Sequence, residues 1–173
     1  MIRALALCLA AATPAAAEVA PGAARSVTQG VHCRVETLES RPAEGTIAGS
    51  IDTYAETPPL RWLTATVPAA RGVSFGLHVV VPPAFAGQVR FEVEHPPMGP
   101  DGVTVETWTS VVPPDDTHYT GFHFEHDYEL VTGPWILRGW SGGTMLYEAR
   151  FDVVAPELRP DIVSACLGPD MLS

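Results

Sequence analysis

The sequence predicts an all-β fold, an antiparallel sandwich of about seven to nine strands, and three observations carry that prediction. First, 17 Pro and 15 Gly spread over 173 residues leave almost no window for a long helix, because proline removes a backbone donor and glycine disfavours the helical state. Second, apolar and polar residues alternate in several short runs, the period of a strand with one buried face. Third, those runs are bounded by turn chemistry, including Pro-Pro pairs at 58–59, 82–83, 96–97 and 113–114, at the spacing of short sandwich strands. With 46% apolar and 17% charged residues, the chain has enough apolar surface for one globular domain and too little charge for disorder.

Taken in order, the first seventeen residues read as a cleaved signal peptide: Arg3, an apolar run from Ala4 to Ala12, then Ala15-Ala16-Ala17 at the cut, with the apolar run too short to span a bilayer. Leu7 before Cys8 does not fit a lipoprotein processing site. Residues 18–26 are expected to be a flexible N-terminal segment, 27–155 the sandwich domain, and 156–173 a C-terminal tail. The mature chain is then 173 less 17, or 156 residues, with its formal charge moving from −10 to −11 as Arg3 leaves. Its basic residues are all Arg and form no stripe, so nucleic acid and membrane insertion or surface binding are not expected. The expected location is the periplasm or the exterior, and no cofactor is implied.

Val27, Val31, Cys33 and Val35 alternate with Thr28, His32, Arg34 and Glu36, and Val89, Phe91 and Val93 with Arg90, Glu92 and Glu94. Further strand candidates are Ile47 to Tyr54, the weakest, and Leu60 to Val67. Val73 to Val81 is apolar at nearly every position and reads as a central strand, which favours a sandwich over a closed barrel. Val103 to Thr109 and Tyr119 to Tyr128 follow. Pro134 to Trp140 and Met145 to Val153 flank Ser141-Gly142-Gly143-Thr144, the chemistry of a tight hairpin needing positive φ; a β-branched residue at Gly143 is expected to strain it. Pro156 to Leu167 has room for a short helical turn. Cleavage leaves Cys33 and Cys166 as a pair in a compartment where disulfides persist, closing a loop of 166 less 33, or 133 residues, and tying the tail to the first strand.

A resemblance now has its residues on the page. Glu129-Leu130-Val131-Thr132-Gly133-Pro134-Trp135 and Leu146-Tyr147-Glu148-Ala149-Arg150-Phe151-Asp152-Val153, with Gly72-Val73-Ser74-Phe75-Gly76 and His95-Pro96-Pro97 upstream, resemble the bacterial domain-of-unknown-function family 3859 over roughly Val27 to Val154. The resemblance implies an exported, immunoglobulin-like domain; it implies no catalytic residues, and none are assigned.

Chemistry must come from the residues themselves. Gly139-Trp140-Ser141-Gly142-Gly143 matches the G-x-S-x-G pattern of serine hydrolases, whose nucleophile sits on a strand-to-helix turn; here a strand follows, so Ser141 reads as a turn residue. On an extended strand His123, Glu125, Asp127 and Glu129 would share one face and Phe122, Phe124, His126 and Tyr128 the other. A His-x-Glu pair can begin a metal site, so His123 and Glu125 with neighbouring His126 form the alternative, metal-binding reading, completed by a ligand such as His78, His95 or His32. Among the tryptophans, Trp135 is expected in the core and Trp140 at the rim, stacked on Arg138. The leading expectation is a non-catalytic binding or structural module, acting on another exported protein or envelope component through a strand edge or end loops. Convergence of three His or carboxylate side chains would favour the metal reading. A deep pocket holding Ser, His and acid in hydrogen-bond reach would favour a hydrolase.

Overall fold

Alternation decides which residues form the two inner faces of the molecule. The computed structural model describes residues 19–167, so the expected signal peptide and the last residues of the tail, 168–173, lie outside the described residues. Eleven strands are present among them: β1 (Val19–Pro21), β2 (Ser26–Cys33), β3 (Glu39–Pro42), β4 (Ser50–Thr53), β5 (Thr66–Pro68), β6 (Val73–Val80), β7 (Gly87–Met98), β8 (Val103–Val112), β9 (Thr117–His123), β10 (Gly133–Ser141) and β11 (Thr144–Val154), followed by helix α1 (Pro160–Leu167). The larger sheet runs β1-β11-β10-β7-β8, with β5 joined to β11; the smaller runs β2-β6-β9, and β3 and β4 form a separate ribbon. The sheets keep free edges, so this is a sandwich and not a barrel. Strands beyond the expected nine are short ones, whose three or four residues are too few to show a period.

The inner faces follow from register. In β6, Val73, Phe75, Leu77 and Val79 point inward and are fully buried, and their partners place Phe122, Thr120 and His118 of β9 on the same face. Opposite them, Val89, Phe91 and Val93 of β7 and Trp135 and Leu137 of β10 are buried. Phe75 is the hub, with ring centroids 5.5 Å from Trp135, 5.6 Å from Phe124 and 4.9 Å from Phe151, the edge-to-face and tilted packing that aromatic quadrupoles favour. As expected, β6 is the central strand of its sheet. Its other face is covered too, since His78 Nε2 meets the Pro58 carbonyl at 2.7 Å.

Several expectations are corrected. Of the segment expected to be flexible, residues 19–26 are tied down: β1 pairs with β11, and Ala23 and Ala24 donate their N–H groups to the carbonyls of Met145 and Leu146. The sheets are antiparallel as expected, with one short addition, since β5 lies parallel to β11; a three-residue strand reached after a long excursion carries no orientation signal. The Tyr119 to Tyr128 strand stops at His123, and Asp127–Glu129 form a 3-10 turn. The cause is local: the Glu129 carboxylate accepts the N–H groups of Glu125 (2.6 Å) and His126 (2.8 Å) and curls the chain. In the β10–β11 hairpin Ser141 pairs with Thr144, and the positive φ falls on Gly142, at 56°, and not on Gly143. The short helix expected within Pro156 to Leu167 is α1, eight residues that start at Pro160, as proline at a first helical position allows. Cys166 on that helix is disulfide-bonded to Cys33 at the end of β2, Cα atoms 4.9 Å apart. No helix among the described residues is long and apolar enough to cross a membrane.

Candidate binding cleft

One inner face of the sandwich is not filled with aliphatic side chains. Cross-strand pairing sets Glu106, Trp108 and Ser110 of β8 beside Val93, Phe91 and Val89, so these three occupy core-facing positions. A Glu, a Trp and a Ser do not close the interior as Val or Leu would, and a cleft of about 370 Å³ remains there. Each wall is an edge strand. β8 ends the larger sheet and β9 the smaller, and the segment from Thr46 to Pro58, which includes β4, covers the opening. Every residue of β9 from Thr117 to His123 lines the cleft. Consecutive strand residues point to opposite faces, so the cleft wraps both faces and follows the free backbone edge between them.

The walls mix aromatic surface with ionisable groups. Trp108 stacks on Phe91 (centroids 5.5 Å), and His118 lies 5.4 Å from the same ring; burial pushes the His118 imidazole down to about 4, leaving it neutral at pH 7. Tyr54 packs edge-on to Tyr119 at 5.9 Å, and burial, then the neighbouring Asp52 charge, pushes its phenol up to about 12. The buried Tyr119 hydroxyl meets His32 Nε2 at 2.8 Å, while His32 Nδ1 meets the Cys33 carbonyl at 2.7 Å. A carbonyl only accepts, so Nδ1 carries the proton and Tyr119 donates to Nε2, in keeping with a His32 ring held neutral chiefly by burial. Deeper, Glu106 accepts the Ile47 N–H at 2.7 Å and faces His95 Nε2 at 3.5 Å, which fixes the cover segment to the wall. Among the described residues five carboxylates line the cleft, Asp52, Glu56, Glu106, Glu125 and Glu129, and no arginine does.

The expected metal residues separate into two groups. His123 and Glu125 converge, with Nε2 3.3 Å from Glu125 Oε2. His126 does not join them: its ring stacks on Tyr128 at 5.1 Å. None of His78, His95 or His32 completes the set, each being engaged as described. The third member is Asp52 of β4, whose Oδ2 lies 3.7 Å from His123 Nε2. Nothing in the sequence near Asp52 advertised this role, because it depends on the ribbon folding across β9. Asp127 and Glu129 leave the shared face when the strand ends; Asp127 pairs with Arg71 at 2.7 Å. Ser141 sits in the hairpin with strand β11 after it, so the strand-to-helix turn of a serine nucleophile is not built. Trp135 is fully buried, whereas Trp140 lies under Arg90 at 5.6 Å and not Arg138. That arginine is held by Glu92 (2.9 Å), Glu94 (2.8 Å) and Glu148 (2.7 Å), its direct cross-strand neighbours or one step beyond.

Comparison with known proteins agrees with the sandwich and the open question of activity. A family model described as a domain of unknown function (DUF3859) matches residues 22–153. A solved immunoglobulin-like protein from Pseudomonas aeruginosa is similar at 22% identity, covering 82% of this chain and 100% of its own, with a TM-score of 0.50; this likeness shows the immunoglobulin-like fold. No curated protein matches the chain.

Proposed function

We propose that this chain, which belongs to the DUF3859 family, is an exported, non-catalytic binding module that takes an extended, basic segment of another envelope protein along the free edge of β9. The observation that carries this reading is the cleft itself: it follows β9 over its whole length and, among the described residues, presents carboxylates without an arginine. An unpaired strand edge offers backbone N–H and C=O groups in the register a second strand needs, and flanking pockets select side chains. The aromatic rings of Trp108 and Tyr54 supply apolar contact area at low entropic cost. Acidic walls steer basic partners and reject acidic ones, with an on-rate that falls as salt rises.

The test is retention of partners from an envelope extract by the tagged mature protein, beside a Ser110→Trp variant that fills the cleft from β8. The reading expects a partner held by the wild type through a basic segment, released by salt and lost with Ser110→Trp. Capture that is unchanged in the filled variant would place binding elsewhere on the surface.

A further inference from the structure

At one end of the cleft three side chains from separate places in the chain aim one donor atom each at a common point, and we propose that they bind a divalent transition-metal ion, with zinc as the fitting case. The ligands are Asp52 from the cover ribbon, His123 from the last residue of β9 and Glu125 from the turn that follows, with their donor atoms all within 4.8 Å of one another. Two of the separations, 3.3 Å from His123 Nε2 to Glu125 Oε2 and 3.7 Å to Asp52 Oδ2, are close to the edge of a tetrahedron whose bonds are about 2.0–2.2 Å. An ion would need only small adjustments of the side chains to sit between them.

The chemistry of the set narrows the ion. One imidazole nitrogen and two carboxylate oxygens suit zinc or manganese; magnesium and calcium prefer oxygen alone, and copper(I) prefers sulfur. The outer atoms of the carboxylates are already oriented. Arg34 pairs with Glu125 through Oε1, leaving Oε2 toward His123; the Ser40 hydroxyl donates to Asp52 through the outer Oδ1, and the Thr37 hydroxyl donates to Oδ2 itself, whose second lone pair is left for the ion. Such outer partners fix ligand geometry in metal centres. His123, Asp52 and Glu125 are each 13–31% exposed at the side chain and all line the cleft, so a fourth position opens toward it, the arrangement of a site that keeps a place for an exogenous ligand. Because Asp52 belongs to the ribbon and the other two to the β9 end, the ion would also staple the cover to the wall.

The inference does not rest on the identity of the cleft's partner, and its test uses zinc alone. Calorimetric titration of the chelator-treated, untagged mature protein with Zn²⁺ should show one equivalent bound and a raised melting temperature. His123→Ala and Asp52→Asn should each weaken that binding at least tenfold, and His126→Ala should leave it unchanged. Circular dichroism of each variant without zinc separates loss of a ligand from loss of fold, and Glu125→Gln, which keeps shape and removes charge, supplies a further ligand variant. Absence of saturable uptake by the wild type, or uptake equally strong in folded His123→Ala and Asp52→Asn, overturns the proposal; in that case His123 serves only as a polar neighbour of the two carboxylates.

Discussion

Lowering the pH should destabilise this fold through His118, and the size of the effect can be worked out. The ring lies in the cleft wall against Phe91, and burial depresses its pKa from 6.5 to about 4. The sign follows from linkage: with the folded value below the unfolded one, the unfolded chain takes up the proton first, so the stability held above pH 6.5 is lost as pH falls toward 4. Between pH 7.5 and pH 5.0 these two values give a loss of about 2 kcal/mol, and residual hydration through the cleft brings the working figure to about 1–2 kcal/mol. His32, also depressed by burial, adds in the same direction, so the informative quantity is a difference between proteins. Urea unfolding of wild type and His118→Phe at both pH values supplies it. The phenyl ring suits the apolar contact with Phe91 and cannot titrate, and the variant should lose about 1–2 kcal/mol less than wild type on acidification. Equal acid sensitivity in the two proteins, or an NMR titration of His118 near 6.5, would refute the reasoning.

The hairpin, the curled turn and the disulfide give three further expectations. Gly142→Val should destabilise more than Gly143→Val, by about 1 kcal/mol or more in urea unfolding, because the positive φ is at Gly142; Ser141→Ala should change stability by less than about 0.5 kcal/mol and leave no fluorophosphonate-reactive group behind, the wild type being unreactive as well. Glu129→Ala should cost about 1–3 kcal/mol in the same assay, since two backbone N–H groups lose their acceptor, and by releasing Glu125 it should weaken zinc uptake. Mass spectrometry of exported protein should find an N-terminus at Glu18 and a mass two hydrogens below the reduced form, and replacing both Cys33 and Cys166 by Ser should lower stability by roughly 4–5 kcal/mol, the loop-entropy value for a separation of 133 residues.

What could be read from the chain was what local physics determines. Val73–Val80, Gly133–Ser141 and Thr144–Val154 carry period-two or continuous apolar patterns long enough to name as strands, and the Cys pair needed only a compartment to be joined. Glu39–Pro42 was not legible, since three polar residues and a proline acquire strand geometry from the partner that reaches them, and the Leu60 to Val67 candidate shrinks to Thr66–Pro68, whose pairing with β11 is set by tertiary folding. The end of β9 was missed for a different reason. Phe122, His123 and Phe124 continue an alternating pattern, and only the Glu129 carboxylate turning back onto Glu125 and His126 ends it. The same holds for the cleft. His123 and Glu125 were visible as a pair, but Asp52, some seventy residues earlier, joins them through tertiary folding, and the open interior behind β8 appears only once Glu106, Trp108 and Ser110 are set in register with β7.

The central claim is that partners bind in the β8–β9 cleft, and site-specific photo-crosslinking in a bacterial host tests it most directly. A photoreactive phenylalanine derivative at Ser110, inside the cleft, is compared with one at Arg150, exposed on β11. The account predicts a discrete crosslinked product from position 110, mapped by mass spectrometry to an extended basic segment, and none from position 150. Products from 150 with none from a correctly folded, disulfide-bonded 110 variant would contradict it.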